Sequence, residues 1–204
     1  MRRILSDDPD AIDAALACLS AGEAIVMPTD TVYGLGVLAA VPGATDRIFA
    51  IKGRPAHVPL AVLVDSLEQA LSLVDAPSAP AQRLIDACWP GPLTVVLTRR
   101  ADVHIELGGD ERTVGVRCPA HDLVRTLARA IGPLAVTSAN RHGEPTPRTA
   151  AATAAALGDG VALVLDGGPC DGVPSTVVDG TSSTLTVLRA GPIAPEQIRT
   201  AALP

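Results

Sequence analysis

Short apolar runs alternate along the chain with stretches in which apolar residues recur at helical spacing. The runs are bounded by glycine, proline or polar residues and have the length of buried strands. They predict strands at Glu23–Met27, Leu60–Val64, Thr113–Arg117, Leu134–Thr137, Val161–Leu165, Ser175–Val178 and Thr184–Leu188, with a further turn and strand over residues 90–98. Helical spacing predicts helices at Ala44–Ile51, Ser66–Val74, Ala79–Trp89, His121–Ile131, Thr149–Leu157 and Pro195–Ala202.

The first predicted element is a helix that opens at Asp8-Pro9, with the aspartate as N-cap and the proline in the first helical position. Apolar spacing carries this helix to Leu19, and Gly22 provides the stop signal. Residues 28–36 are predicted to form a loop rich in glycine and hydroxyl groups, and the apolar run Val37–Val41 follows it.

Seven or eight strands mixed with about six helices indicate an α/β fold. Some strands follow a helix and others follow a strand through a short loop, so the sheet is expected to be twisted, with parallel and antiparallel neighbours and flanking helices. No composition shift, internal repeat or low-complexity tract divides the chain. We therefore expect a single domain over residues 1–204.

The composition narrows the classes of ligand. Apolar residues make up 48% of the chain and aromatic residues only 1%, and the net charge is −6. A protein that binds nucleic acid mainly through charge carries a basic excess, which is absent here. Any surface that binds anions must therefore be local.

The four cysteines lie far apart, at positions 18, 88, 118 and 170, without the spacing of a zinc site. The N-terminus has acidic residues where a signal peptide needs an apolar core, and no run of membrane-spanning length occurs. These features predict a cytoplasmic protein with reduced thiols, no metal site of its own and no membrane association.

Polar side chains concentrate where predicted strands end, which is where open α/β sheets bind ligands. The loop PTDTVYGLG offers hydroxyl and backbone N–H groups, although neither a phosphate loop of the P-loop type nor a dinucleotide fingerprint occurs. Lys52 is the one lysine beside fifteen arginines, and with Arg54 it lies on a turn suited to a polyphosphate. The alternative is a solvated turn whose lysine complements the helix dipole.

Polar residues at further predicted strand ends also allow either a ligand-binding or a structural interpretation. Arg117 closes an otherwise apolar strand and needs an anion, either a substrate carboxylate or a structural aspartate. Arg189 poses the same question, and Ser138 and Asn140 could bind a nucleotide or cap a turn. No motif places a histidine beside a serine or cysteine nucleophile, so the pattern favours phosphate positioning over acid–base hydrolysis.

Taken in order, the segments PTDTVYGLG, KGRP-x-x-x-PL, WPGPLTVVL, VGVRCP, TSAN, PSTVVD and LRAG resemble the YrdC-like L-threonylcarbamoyladenylate synthases. The match runs from about residue 10 to about residue 200 and includes the paired K-x-R and S-x-N signatures. Seven motifs in the right order are far more specific than any one alone. The chain resembles the short, single-domain form of this family.

The resemblance implies a nucleotidyltransferase that converts L-threonine, bicarbonate and ATP to threonylcarbamoyl-AMP and pyrophosphate in a concave, locally positive cavity. Other proteins then transfer the threonylcarbamoyl group to the adenosine at position 37 of tRNA, and weak contact with tRNA itself is compatible with this role. Mg²⁺ is expected to arrive with ATP, without a cofactor bound by the protein itself.

The resemblance also assigns residues. Thr31, Arg117 and Ser175 are expected to bind the substrate threonine, with Arg117 on its carboxylate. Lys52 and Arg54, the implied catalytic cations, are expected to face the phosphates and the new carbamate. The nucleotide side is expected to be lined by Thr113, Ser138, Asn140, Thr146 and Arg189, with Val136 contributing through its backbone.

Two positions depart from the family pattern, so their contacts do not carry over. Val58 stands where many relatives carry a polar residue, commonly asparagine, and Leu63 stands where some carry histidine near the threonine. Two rival functions remain open at this point: an RNA-binding module without adenylylation activity, and a carbamoyl-adenylate former of the hydrogenase-maturation type. The acidic net charge and the scarcity of aromatic residues disfavour the first, and the absence of CxxC fingers disfavours the second.

Overall fold

The structure is a computed structural model that describes residues 1–170 and 172–203. Its strands are β1 (Arg2–Leu5), β2 (Ile25–Met27), β3 (Gly34–Leu38), β4 (Ala61–Leu63), β5 (Leu93–Thr98), β6 (Thr113–Arg117), β7 (Leu134–Ser138), β8 (Leu163–Asp166), β9 (Thr176–Asp179) and β10 (Thr186–Arg189). Its helices are α1 (Ala11–Ser20), α2 (Ala44–Lys52), α3 (Leu67–Leu71), α4 (Ala79–Cys88), α5 (Asp122–Ile131), α6 (Ala150–Leu157) and α7 (Pro195–Ala202), with a 3₁₀ turn at Gly158–Gly160.

All of these strands belong to one sheet, in the order β1-β8-β2-β3-β7-β4-β6-β5-β9-β10. The pairs β1–β8, β2–β8, β4–β6 and β5–β9 are parallel. The other neighbours are antiparallel. The predicted mixed α/β sheet with flanking helices is confirmed.

Helices cover both faces of the sheet. On one face, α1 and α5 bury residues such as Leu19 and Leu127 against Leu134 and Leu165. On the other face, α2, α4, α6 and α7 contribute to a larger core that also contains the fully buried Tyr33. Aliphatic and alanine side chains therefore build both cores, which matches the near absence of aromatic residues.

The N-terminal region differs from the prediction. Arg2–Leu5 forms the edge strand β1, which pairs with β8 and has three exposed residues, so it shows no apolar run that a sequence pattern could detect. Helix α1 begins at Ala11 with Asp10 as N-cap, and the Asp8 carboxylate instead accepts the Asp10 N–H at 2.9 Å. The expected helix start at Asp8-Pro9 was therefore wrong, because these residues form a tight turn that precedes the helix.

The predicted loop over 28–36 was also too long, because Gly34 and Gly36 lie within the buried strand β3. A Cβ atom on Gly36 would lie 2.5 Å from the Met27 Cε, and one on Gly34 would lie 2.9 Å from a Val136 methyl. The glycines allow neighbouring side chains to cover the strand closely, rather than forming a turn.

The remaining predicted elements are present; β6 and α7 match their predicted bounds, and the ends of the others are shifted. Among the described residues, no helix has both the length and the apolar character needed to cross a bilayer.

Candidate active site

The central strands of the sheet form the wall of a cavity of about 250 Å³. Alternation along β6 directs Thr113, Gly115 and Arg117 to this cavity, while Val114 and Val116 point into the larger core. The wall includes hydroxyl groups and three arginines, Arg54, Arg117 and Arg189, but no aspartate or glutamate among the described lining residues. The cavity is therefore suited to anionic ligands.

Arg117 lines the cavity and is only 5% exposed. Its Nε donates to the Gly91 carbonyl at 3.0 Å, its Nη1 donates to Thr31 Oγ1 at 2.9 Å, and its Nη2 donates to Asp30 Oδ1. Burial lowers the pKa of Arg117, and the charge of Asp30 acts in the opposite direction. A guanidinium has five N–H donors, so these three bonds leave two donors for a further acceptor.

The loop before β3 is held in shape by its own hydroxyl groups. Thr29 Oγ1 accepts from the backbone N–H of Thr31 at 3.1 Å and of Val32 at 3.2 Å, and it donates to the Val32 carbonyl at 2.7 Å. Tyr33 fixes the loop from the other side, because its hydroxyl donates to the Gly168 carbonyl at 2.6 Å and accepts the Gly167 N–H at 3.1 Å. Burial raises the pKa of Tyr33 to about 12, so the phenol stays protonated as this donor.

Ser175 also lines the cavity and lies just before β9. Its hydroxyl shares a hydrogen bond of 2.8 Å with Thr94 Oγ1. Arg189 donates to the Ser175 carbonyl at 2.8 and 3.0 Å, and its Nη2 lies 3.0 Å from the Ser175 hydroxyl. The position of Ser175 is thus defined from two strands, β5 and β10.

Arg54 and Arg189 place two positive charges on the cavity without an acidic partner among the described ion pairs. Arg54 is held by the carbonyl groups of Val58 and Pro59, each at 2.9 Å. Burial lowers the pKa of Arg54, and the charge of Arg189 lowers it further. This unfavourable electrostatic interaction would be relieved by an anion bound between the two guanidinium groups.

Lys52 lies at the end of α2, is 3% exposed and is not among the residues that line the cavity. Its Nζ donates to the carbonyl groups of Ser138 and Asn140, and it lies 3.3 Å from Asn140 Oδ1. Burial, with a smaller contribution from the charge of Arg54, lowers the pKa of Lys52 to about 8. The lysine side chain is thus turned toward the loop that follows β7.

Asn140 and Thr146 complete what we call the Lys52 network, which consists of Lys52, Ser138, Asn140 and Thr146. Asn140 Nδ2 donates to the carbonyl groups of Arg141 at 2.9 Å and Glu144 at 2.7 Å. Thr146 Oγ1 lies 3.4 Å from Asn140 Oδ1. Neither side chain lines the cavity.

The structure therefore separates the sequence-predicted site residues into two groups. The first group lines the cavity and consists of Thr31, Arg54, Thr113, Arg117, Val136, Ser138, Ser175 and Arg189. The second group, Lys52, Asn140 and Thr146, lies behind the wall. Of the two departing positions, Leu63 lines the cavity and Val58 only supplies a carbonyl to Arg54.

Two features of the site were missed by sequence reasoning. Thr94 lines the cavity and bonds Ser175, and its hydroxyl inside the apolar strand LTVVLT was the available signal. Asp30 is a structural aspartate that pairs with Arg117, and only the fold shows that the two meet.

Known proteins match most of this chain in sequence and in fold. The family model Sua5/YciO/YrdC, described as telomere recombination, matches residues 17–191. A Mycobacterium tuberculosis protein, provisionally named a threonylcarbamoyl-AMP synthase, is 41% identical over 92% of this chain and 87% of its own length.

Solved structures agree with this comparison. Pyrococcus abyssi Sua5 complexed with L-threonine superposes with a TM-score of 0.91 at 35% identity, over 98% of this chain but 60% of that one. Escherichia coli YciO superposes with a TM-score of 0.85 at 28% identity and covers 97% of this chain and 98% of its own. The chain thus spans little more than half of the archaeal protein. On the match of the family model and of these relatives, the chain belongs to the Sua5/YciO/YrdC family.

Proposed function

We propose that this chain is an L-threonylcarbamoyladenylate synthase, which forms threonylcarbamoyl-AMP and pyrophosphate from L-threonine, bicarbonate and ATP. The observation that carries the proposal is the cavity wall, where Arg54, Arg117 and Arg189 surround a space lined by hydroxyl groups. Relatives named for this activity support it, including the Mycobacterium tuberculosis protein and the Bacillus subtilis threonylcarbamoyl-AMP synthase, which is 37% identical over 95% of this chain.

The part of the cavity around Arg117 is the proposed threonine site. The two unused N–H donors of Arg117 suit the substrate carboxylate, and the hydroxyl groups of Thr31 and Ser175, which also line the cavity, suit the remaining polar atoms. Asp30 keeps the buried guanidinium charged and oriented. Leu63 adds an apolar contact in place of the histidine that some relatives carry.

The part of the cavity around Arg54 and Arg189 is the proposed nucleotide site, and it adjoins the threonine site where Arg189 contacts Ser175. Arg54 and Arg189 suit the phosphate groups, while Thr113, Ser138 and the backbone at Val136 line the nucleotide side. Among the residues that the structure describes, the lining offers hydroxyl and guanidinium groups but no carboxylate ligands. Mg²⁺ bound to ATP would therefore be held by phosphate oxygens and water, where it supplies charge neutralisation.

The chemistry that these residues would support is positioning. The amine of threonine is carboxylated by bicarbonate, with loss of water, to an N-carboxylate. An oxygen of this N-carboxylate then forms a bond to the α-phosphorus of ATP, while pyrophosphate leaves with the electrons of the broken P–O bond. Holding the carboxylate of threonine on Arg117 and the phosphates on Arg54 and Arg189 would bring the two reactants into line.

The direct test is pyrophosphate release by purified protein supplied with ATP-Mg, bicarbonate and L-threonine. We expect release that requires both threonine and bicarbonate. Arg117→Met should lower kcat/KM for threonine about 10- to 100-fold, because a charge-assisted contact worth about 1.5–3 kcal/mol is lost. Arg112→Met is the matched control, since Arg112 is exposed and pairs only with the nearby Asp110 among the described ion pairs.

The outcomes separate the alternatives. Pyrophosphate release that never exceeds the background with ATP alone would overturn the synthase function, and the RNA-binding alternative would then be tested by salt-dependent RNA affinity. The product would be consumed by tRNA-modifying transferase proteins, the proposed downstream partners. Direct contact with tRNA is a separate expectation and is tested in the same RNA-binding assay.

A further inference from the structure

The hydrogen-bond donors of the Lys52 ammonium indicate how this residue acts in the proposed synthase. A protonated lysine has three N–H donors and no acceptor. The Lys52 ammonium has three oxygen neighbours within hydrogen-bond distance, namely the Ser138 carbonyl, the Asn140 carbonyl and Asn140 Oδ1. Each donor thus has an acceptor within the protein, and a phosphate could be bound only if one of these contacts broke.

The same side chain joins two elements that are distant in sequence. Lys52 is the last residue of α2, and its acceptors belong to the turn that follows β7. The backbone adds a second link, because the His142 N–H donates to the Lys52 carbonyl at 2.9 Å. Hydrogen bonds are therefore donated both from the end of α2 to the loop and from the loop to the end of α2.

Asn140 extends the connection into the loop itself. Its Nδ2 donates to the carbonyl groups of Arg141 and Glu144, and its Oδ1 lies between Lys52 Nζ and Thr146 Oγ1. Asn140 is 8% exposed, whereas the loop residues 141–145 are exposed. An exposed loop without such internal contacts would have many backbone conformations open to it.

Ser138 is the point where the Lys52 network meets the cavity. Ser138 lines the wall, and its carbonyl group accepts from Lys52. The preceding Thr137 also lines the wall. A change at Lys52 is thus transmitted to the cavity through the Ser138–Asn140 turn.

We propose that Lys52 and Asn140 are positioning residues that hold the Ser138–Asn140 turn in the shape of the nucleotide wall, and that neither side chain contacts the nucleotide. This inference rests on the proposed synthase function and revises the part expected for both residues. Arg54, two positions away, lines the cavity and is the residue of this segment that contacts phosphate.

The test compares affinities for ATP and for adenosine, which lacks phosphates, by calorimetry. Lys52→Met should weaken both affinities by a similar factor, about tenfold, because the wall loses its shape. Arg54→Met, the matched control, should weaken ATP binding at least about tenfold more than adenosine binding, because a phosphate contact is lost. A selective loss of ATP affinity in Lys52→Met would overturn the proposal.

The conservative variant and a double-mutant cycle provide readouts that a direct phosphate contact would not share. Lys52→Arg should lose as much ATP affinity as Lys52→Met, since a planar guanidinium cannot reach three converging oxygens as an ammonium does. Lys52→Met should be more strongly non-additive in ATP affinity with Asn140→Ala than with Arg54→Met, since the interaction of Arg54 with Lys52 is the repulsion between the two charges. Rescue by Lys52→Arg, or stronger coupling to Arg54 than to Asn140, would contradict the proposal.

Two further measurements distinguish an effect of the variants on folding from an effect on function. Thermal unfolding of each variant establishes that the compared proteins are folded at the assay temperature. In turnover, Lys52→Met should raise KM for ATP with a smaller effect on kcat, because it changes how the nucleotide is seated. A wild-type protein that binds no ATP would overturn the proposed function itself, independently of the Lys52 variants.

Discussion

Lys52 and Arg117 are both buried cations near the cavity, yet their surroundings differ. Arg117 pairs with the carboxylate of Asp30 and keeps two donors for the cavity. Lys52 is surrounded by carbonyl oxygens, which satisfy its donors without cancelling its charge. Burial therefore lowers the pKa of Lys52 to about 8, whereas Asp30 partly offsets the effect of burial at Arg117.

The lowered pKa of Lys52 predicts opposite trends in stability and nucleotide affinity. Between pH 8 and 10.5, the unfolded chain binds more protons at Lys52 than the folded chain does, so this residue makes the free energy of unfolding rise with pH. Over the same range the side chain loses one donor and its charge, so affinity for ATP should fall. Arg54 is the neighbouring charge that acts on Lys52.

The measurement is the free energy of unfolding and the Kd for ATP from pH 7 to 10, each in wild type and in Lys52→Met. The variant keeps the other titrating groups, including the thiols whose pKa values are raised by burial, so the difference between the two proteins isolates Lys52. A difference that does not change with pH would contradict the prediction.

At the scale of elements, the close approach around β3 shapes the cavity wall. Gly34 lines the cavity, and Met27 and Val136 cover Gly36 so closely that no Cβ atom fits without movement. The antiparallel pairing of β3 with β7 places Gly36 beside Val136 and Gly34 beside Ser138. The two glycines of PTDTVYGLG thus contribute through packing. They allow β7, with Ser138, to lie close to β3 and to the loop that precedes β3.

Gly36→Ala should lower the free energy of unfolding by about 1–3 kcal/mol, because the new methyl group overpacks the strand. The Val136 methyl that lies 2.9 Å from the added Cβ is part of this clash. The substitution should therefore cost less in a Val136→Ala background than in wild type, as measured by urea denaturation. Equal costs in both backgrounds would show that Val136 plays no part.

At the scale of the whole molecule, charge is distributed unevenly. The chain has a net charge of −6, yet three arginines line one cavity from which described acidic side chains are absent. Long-range repulsion of polyanions and local attraction of a compact anion can therefore coexist, since salt screens the first over about 8–10 Å and a partly buried site is screened less. This arrangement favours a nucleotide over an extended RNA strand.

Tripolyphosphate, which has no nucleoside, should raise the melting temperature of the protein by about 5–10 °C at 100 times its Kd. Arg54→Met and Arg189→Met should each reduce the shift, because both guanidinium groups face the cavity. Single-stranded RNA at the same phosphate concentration and physiological salt should give no shift. A shift produced by RNA but not by tripolyphosphate would favour the RNA-binding alternative.

Sequence patterns determined the mixed α/β class, most helices and strands, and the family, because these depend on local spacing and on the order of short motifs. Patterns of this kind depend on residues that are close in sequence, so they indicate the secondary structure and the buried face of each segment.

Contacts between distant segments were decided only by the tertiary structure. The pairing of β1 with β8, the ion pair of Asp30 with Arg117 and the bond of Thr94 to Ser175 each join residues that local spacing cannot relate. Lys52 shows the same limit, since a motif identifies it as important but only the fold shows its ammonium turned toward Ser138 and Asn140. The residue types are a property of the sequence, whereas their division between cavity wall and supporting layer depends on how the sheet brings them together.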